Sequence, residues 1–118
     1  MSLSIQSLKI YVPARDFELS KRFYSSLGFT MSPGFGGTAD FQLGGHQFRL
    51  QDYYVKDWAN NCMMILDVDY FEAWHEHAEQ VLGNNAFPDA RIKPPEAVEG
   101  SRVFHIWNPS GVLLVFVQ

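Results

Sequence analysis

Hydrophobic and polar residues alternate along residues 8–12, LKIYV, so that Leu8, Ile10 and Val12 lie on one side of an extended segment. A period of two is typical of a β-strand with one buried and one exposed face. The pattern therefore predicts that the chain opens with a two-sided strand.

A helix and a strand pair follow this strand. Asp16 is placed to cap a helix whose apolar residues recur at helical spacing, and Gly28 is placed to end it. The segments DFQLGG and HQFRLQDYY then predict two strands around the turn at residues 44–45.

The second half of the chain predicts a similar order. Residues 62–68, CMMILDV, form a largely apolar strand, and Asp69 with Glu72 matches a variant of the helix capping box. Gly83 is placed to end this helix, whose inner face carries Phe71, Trp74, Ala78 and Leu82.

The last part of the chain predicts an irregular connection and a closing hairpin. The Pro94-Pro95 pair excludes a helix and a central strand, which leaves room for one short edge strand. SRVFHIW and VLLVFVQ then flank a turn at residues 108–111, with proline and glycine at favourable turn positions.

The two halves look like copies of one unit. They predict an α+β fold made of two βαβββ modules in tandem, about 5–57 and 60–118, within a single domain of residues 1–118. The strands should form a curved mixed sheet with a concave cleft and with the helices on the outer face. A concave sheet favours ligand binding.

Composition narrows the function classes. The 118-residue chain is 47% hydrophobic, 15% aromatic and 19% charged, with a net charge of -4 and scattered basic residues, which disfavours nucleic acid as a partner. It has a single cysteine, no apolar run long enough for a bilayer, and an N-terminal sequence unlike a secretory signal. We therefore expect no membrane partner and a cytoplasmic location.

Four segments in this order resemble the vicinal oxygen chelate superfamily, which includes glyoxalase I, extradiol dioxygenases and the fosfomycin- and bleomycin-resistance proteins. They are YVPARDFELSKRFYSSLGF at 11–29, ILDVDYFEAWHEHAEQ at 65–80, PPEAVEGSRVF at 94–104 and FHIWNPSGVLLVFVQ at 104–118. The resemblance covers the whole chain. It is nearest to bleomycin-resistance-like members that lack a metal, and it implies a homodimer with pockets near the subunit boundary.

The resemblance also implies where metal ligands would stand. In metal-dependent members these are His or Glu on four strand positions, which fall here on Ser7, Met63, Val115 and either Arg49 or Gln51. None of these side chains is a good ligand for a divalent metal, and Arg49 opposes a cation. We therefore expect no metal and no cofactor.

Strand alternation assigns a cleft lining that mixes aromatic and apolar residues with a few polar groups, as organic-ligand pockets do. Ile65 and Leu113 share this side of their strands, and Tyr53 and Tyr54 are candidates for the rim. The predicted ligand-binding residues are Lys9, Tyr11, Arg49, Gln51, Trp58, Met63, His105, Trp107 and Val115. Because Lys9 and Arg49 are cationic, an anionic or neutral aromatic ligand fits better than a large cationic drug.

His105 is the one candidate catalytic residue, since it shares the cleft side with Trp107. A histidine serves as a general base, but the sequence assigns it no carboxylate partner. His75 and His77 are two residues apart on a helix, which predicts a solvated face and no metal pair. His46 beside a glycine turn should be exposed, and Cys62 at the start of an apolar strand should pack as a small hydrophobe.

Three functions fit these patterns. The first is a protein that binds or sequesters an aromatic small molecule without a metal. The second is a metalloenzyme of the glyoxalase or dioxygenase type, a lyase or isomerase with displaced ligands that include His105. The third is a dimeric interaction protein whose cleft has lost its ligand.

Overall fold

The computed structural model describes residues 2–118, which contain eight strands and three α-helices. The elements are β1 (Tyr11–Pro13), α1 (Phe17–Leu27), β2 (Thr30–Pro33), β3 (Ala39–Leu43), β4 (His46–Gln51), α2 (Lys56–Asn60), β5 (Met63–Asp67), α3 (Phe71–Leu82), β6 (Arg91–Val98), β7 (Ser101–Trp107) and β8 (Leu113–Val117). Two short 3-10 turns lie at Phe35–Gly37 and Gly83–Asn85.

The strands form two mixed sheets of four strands, with orders β1-β4-β3-β2 and β5-β8-β7-β6. In both sheets the first strand pairs in parallel with the last strand of its module, and the other neighbours are antiparallel. The repeated order confirms the predicted α+β class with two tandem modules. Each module has its own sheet, and the limits 5–57 and 60–118 stay a prediction.

Each sheet is covered by a helix on one side. The ring of Tyr24 in α1 lies 5.4 Å from that of Phe41 and 4.7 Å from that of Phe48. In the second module, the ring of Trp74 in α3 lies 5.3 Å from that of Phe116. The side chains that point from the strands toward the helices form one buried cluster, and the opposite sides of both sheets remain open.

The turn between β7 and β8 is fastened to α1 by Asn108, which is fully buried. Its Oδ1 accepts hydrogen bonds from the backbone N–H of Ser110 at 2.8 Å and of Val112 at 2.9 Å, and its Nδ2 donates to the hydroxyl of Tyr24 at 2.8 Å. Burial raises the pKa of Tyr24 well above its ordinary value, so the hydroxyl stays neutral. The contact joins the closing turn of one module to the helix of the other.

The first helix begins and ends as the sequence predicts. The side chain of Asp16 accepts a hydrogen bond from the backbone N–H of Leu19 at 3.0 Å. Gly28 follows the helix with a φ of 125°, a conformation that favours glycine.

The predicted capping box of the later helix is wrong. Tyr70, with a φ of 58°, takes the cap position without a side-chain hydrogen bond. Instead, the backbone N–H of Phe71 donates to Oε1 of Gln118 at 2.9 Å, and Glu72 pairs with Arg102. The cap therefore comes from the far end of the sequence, which a local motif cannot show.

Two strand limits also differ from the prediction. The first strand is Tyr11–Pro13 and not residues 8–12, because residues 8–10 lie beyond the ladder with β4. The connection after α3 contains β6, which is longer than expected, although it lies at a sheet edge and carries Pro94 and Pro95 at a register shift.

None of the helices within residues 2–118 is both long and apolar enough to cross a membrane.

Replacing Asn108 tests the link between the modules. Asn108→Ala removes three hydrogen bonds and leaves buried backbone N–H groups unpaired, so we expect the free energy of unfolding to fall by about 3 kcal/mol. Urea denaturation measures this change. Asn61→Ala, at an exposed position, should alter stability by less than about 0.5 kcal/mol; equal losses in the two variants would contradict the role of Asn108.

Candidate functional site

The open sides of the two sheets differ in chemistry. We call the open side of the second sheet the aromatic face; it carries Met63, Ile65, His105, Trp107, Leu113 and Val115. We call the open side of the first sheet the polar face; it carries Tyr11, Asp40, Gln42, Gln47, Arg49 and Gln51. Residues in register on neighbouring strands share a side, so each face is a continuous surface.

Three planar side chains, those of His105, Trp107 and Arg91, are stacked on the aromatic face, and we call them the platform. The rings of His105 and Trp107 are nearly parallel, with an interplanar angle of 18° and centroids 5.9 Å apart. The guanidinium of Arg91, on the adjacent strand β6, lies 4.7 Å from the centroid of Trp107. Arg91 forms no ion pair with any residue in 2–118, so the platform carries a positive charge that its neighbours leave unneutralised.

His105 has a carboxylate nearby, but the two groups do not form a hydrogen bond. Its Nδ1 is buried without a hydrogen-bond partner and lies 4.0 Å from Oε1 of Glu96. The same carboxylate oxygen lies 3.2 Å from Nζ of Lys93. Because a hydrogen bond needs a shorter separation, Glu96 does not orient the imidazole in this arrangement.

The polar face is organised by Arg49. Its Nε and Nη2 donate to the two oxygens of Asp40 at 2.7 and 3.0 Å, and its guanidinium lies 5.8 Å from the ring centroid of Tyr11. The hydrogen bonds from Arg49 lower the pKa of Asp40, and Asp40 and then Tyr11 raise the pKa of Arg49. The charge of Arg49 is thus neutralised by Asp40. This pairing removes part of the positive charge that the sequence predicted for the cleft.

The remaining predicted ligand residues are dispersed. Lys9 lies in the segment before β1, where its Nζ donates to Oγ of Ser7 at 2.9 Å. Trp58 lies in α2, with its ring 6.5 Å from that of Tyr53, and belongs to neither sheet. The structure therefore brings Met63, His105, Trp107 and Val115 together on one face, and places Tyr11, Arg49 and Gln51 on the other.

The positions that the resemblance implies for metal ligands do not suit a divalent cation. Arg49 is engaged with Asp40, and Val115 is a buried apolar side chain paired with His105 and Ile65 across the sheet. Ser7 and Met63 offer no imidazole or carboxylate. Across residues 2–118, His, Cys, Asp and Glu side chains form no cluster of three suited to a metal.

The other histidines and the cysteine lie away from both faces. His46 is exposed, as expected. The expectation of a solvated position is wrong for both helical histidines. The His75 side chain is 18% exposed, with its ring 5.0 Å from that of Phe104 and its Nδ1 3.4 Å from Oε1 of Glu79. His77 is partly buried, and its Nε2 lies 3.0 and 3.1 Å from the carbonyl oxygens of Ser26 and Leu27. Cys62 is half-buried against the core, and burial raises the pKa of its thiol, which makes it a weak nucleophile.

Sequence reasoning missed four residues of these faces. Arg91, Lys93 and Glu96 lie on β6, a segment that Pro94 and Pro95 led us to predict as an irregular connection. Asp40 on β3 lies opposite Arg49 on β4. The alternation of Arg91, Ile92 and Lys93 was a usable signal for the first two. Asp40 and Arg49 are paired because of the register of the β3–β4 hairpin. The predicted turn at residues 44–45 was a usable signal for that register.

Solved structures share this fold. A bleomycin-binding protein complexed with bleomycin is 23% identical, with a TM-score of 0.76 over 97% of this chain and 98% of that chain. The antibiotic binding protein TnmS3 from Streptomyces sp. CB03234 is 18% identical, with a TM-score of 0.72 over 98% and 97%. A putative glyoxalase family protein from Bacillus anthracis is 16% identical, with a TM-score of 0.68 over 99% and 98%.

These likenesses confirm the predicted fold, that of the glyoxalase and bleomycin resistance proteins. No protein-family model matches the chain, and no curated protein matches its sequence.

The pairing of Asp40 with Arg49 should appear in the acid stability of the protein. A carboxyl group whose pKa is lowered by folding contributes stability above its unfolded pKa, near 3.8, and loses that contribution as the pH falls through its lower folded pKa. We therefore expect the free energy of unfolding to fall less steeply below pH 3.8 in Asp40→Asn than in the wild type. Denaturation at a series of pH values measures this, with exposed Asp52→Asn as the control; equal slopes for wild type and Asp40→Asn would refute the assignment.

Proposed function

We propose that this chain, which shares its fold with the bleomycin-binding proteins, binds a small aromatic molecule on the aromatic face and sequesters it without a metal. The proposal includes a homodimer and a cytoplasmic location, as expected from the sequence. The observation that carries it is the platform of Arg91, Trp107 and His105 on an open sheet face.

The shape of the platform favours a planar ligand. Side chains around the two rings are mainly apolar, including Ile65, Leu113 and Val115, so a bound ring is removed from water. Stacking on Trp107 adds roughly 0.5–1.5 kcal/mol beyond the burial of apolar area. Small-molecule binding is also what the solved relatives named for bleomycin and for antibiotics do.

The charge of the platform favours an anionic or neutral ligand. Arg49 is neutralised by Asp40, and Lys93 lies against Glu96, whereas Arg91 has no acidic partner within residues 2–118. An aromatic carboxylate would place its ring on Trp107 and its charge near Arg91, where a guanidinium binds both oxygens. A bleomycin-like cation carries no anionic group of this kind, and Arg91 would repel its positive charge.

An enzyme is the second candidate, because Glu96 supplies the carboxylate that the sequence could not assign to His105. A small movement would bring the 4.0 Å separation within hydrogen-bond range, so that His105 could act as a general base. This function would also need a metal or acid partner that the described faces do not bring together.

A binding screen with matched anionic and neutral probes tests the proposal. We expect 1-naphthoate to raise the melting temperature more than 1-naphthalenemethanol, since a ligand that binds only the native state stabilises it. Trp107→Ala should abolish both effects. Arg91→Ala should weaken binding of 1-naphthoate about tenfold and leave the neutral probe nearly unchanged.

Phe35→Ala, at an exposed aromatic residue outside both faces, is the matched control and should bind as the wild type does. Unchanged binding in Trp107→Ala would contradict the proposed site. A flat screen with a range of aromatic compounds would favour an interaction protein that has lost its ligand.

Metal analysis of protein purified without chelator separates the two candidates. We expect a negligible content of zinc, nickel, iron and manganese, since the implied ligand positions lack suitable donors. Near-stoichiometric metal that is lost in His105→Ala would overturn the binding-protein proposal and support the enzyme.

A further inference from the structure

One buried polar atom of the platform has no partner. Within residues 2–118, Nδ1 of His105 is the one buried side-chain nitrogen or oxygen that makes no hydrogen bond. The side chain as a whole is 21% exposed, so water reaches the ring but not this nitrogen. Both neutral forms of the imidazole leave the atom unpaired, because neither a donor nor an acceptor lies within hydrogen-bond distance. Folded proteins rarely keep such an atom, which points to a role beyond packing.

His105 lies between the positive and the negative end of the aromatic face. The open side of the second sheet consists of three cross-strand rows, and His105 belongs to the middle one. Arg91 lies in the row toward the β7–β8 turn, whereas Glu96 and Asp67 both lie in the row on the other side. From β6 to β5, the rows are Arg91, Trp107, Leu113 and Met63; Lys93, His105, Val115 and Ile65; and Glu96, Val103, Val117 and Asp67.

A bulge in β6 brings Glu96 to this face. Lys93 pairs with His105, and the next ladder pair is Glu96 with Val103, so β6 spends one residue more than β7 over this stretch. In a regular ladder, Pro95 would lie opposite Val103, and Glu96 would point to the other side of the sheet. The register shift thus turns a carboxylate toward the imidazole, with 4.0 Å between Oε1 of Glu96 and Nδ1 of His105.

Lys93 holds the carboxylate of Glu96 in this arrangement, with its Nζ 3.2 Å from Oε1. The two side chains are 52% and 42% exposed, and an ion pair so open to water is weak. A positive charge on His105 would compete with Lys93 for the same oxygen. A movement of about 1 Å would then close the gap between Nδ1 and Oε1 to hydrogen-bond distance.

We propose that His105 and Glu96 together determine how strongly the platform prefers anions. When His105 takes up a proton from solvent, its Nδ1–H donates to Glu96, and the imidazolium adds a second positive charge beside Trp107. Histidine gains this charge as the pH falls from about 8 to 5. The inference rests on the proposed function, in which an aromatic anion stacks on Trp107, and it adds that binding of the anion and uptake of the proton favour each other.

The surroundings of His105 allow such an effect to be assigned to this residue. Four charged side chains of the second sheet share its face: Lys93 and Glu96 are its neighbours on β6, and Arg91 and Asp67 lie one row away on either side. β7 and β8 place uncharged side chains beside the ring. The other histidines lie in β4 and α3, away from this face. A change of affinity near neutral pH would therefore come from His105.

Calorimetric titration with 1-naphthoate between about pH 6 and 8.5 tests the inference. We expect the dissociation constant to be about fourfold lower at the acidic end, because the added charge lies within a Debye length of the bound carboxylate. A fourfold linkage corresponds to uptake of about 0.3 proton per anion at its midpoint, which titrations in buffers of different ionisation enthalpy measure. The neutral probe 1-naphthalenemethanol should bind equally well throughout the range and take up no proton.

Three variants locate the effect. His105→Gln keeps a hydrogen-bonding side chain but gains no charge, so the ratio of the dissociation constants at the two ends of the range should fall to about one, whatever the overall affinity. Glu96→Gln removes the acceptor that favours the charged imidazole, so the step in affinity should move to lower pH. His46→Gln, at an exposed histidine of the first sheet, is the matched control and should keep the wild-type ratio.

Circular dichroism checks that each variant folds, and His105→Asn serves should His105→Gln not fold. Equal affinity for 1-naphthoate across the range in the wild type would overturn the inference and leave the proposed function standing. A pH dependence that survives in His105→Gln would overturn it too. If no aromatic probe binds, the proposed function is refuted, and NMR titration of the His105 ring in the ligand-free protein decides the pairing: a lower midpoint in Glu96→Gln than in the wild type supports it, and equal midpoints overturn it.

Discussion

Side chains alternate between the two sides of every strand, and each sheet of this chain has a helix on one side only. In β7 this constraint places Phe104 and Ile106 in the core and His105 and Trp107 on the open face. The residues that fill the core therefore fix which residues the open face presents. A shift by one residue would bury the imidazole and indole and expose the phenylalanine, so packing holds the site in register.

The two open faces differ in charge and polarity because of a few side-chain contacts between residues distant in sequence. Arg49 and Asp40 neutralise each other on the polar face, whereas Arg91 stacks on Trp107 and keeps its charge. Val115, buried between His105 and Ile65, makes the centre of the aromatic face apolar where a chelating site would need a carboxylate. Taken together, these features favour capture of a ring over coordination of a cation.

Much of the fold could be predicted from local patterns. Asp16, Gly28 and the turn at residues 108–111 act on their near neighbours, and each does in the structure what its type predicts. The failures concern partners distant in sequence: Gln118 caps α3 in place of Asp69, and Leu8 and Ile10 lie outside the ladder that β1 forms with β4. Strand parity correctly put His105 and Trp107 on the open side. Parity does not show which strands share a sheet. The sequence therefore predicted one cleft that contains both Arg49 and Trp107, whereas the structure places these two residues in different sheets.

The three tryptophans report on three different places, which makes them the most direct test of where a ligand binds. Trp107 lies on the aromatic face, Trp74 lies in α3 with its ring 5.3 Å from that of Phe116, and Trp58 lies in α2 between the modules. NMR of the indole N–H groups during titration with 1-naphthoate follows all three at once. Our account predicts a large, saturable shift of the Trp107 signal with little change at Trp74. A shift confined to Trp74 or Trp58, or none at all, would contradict it.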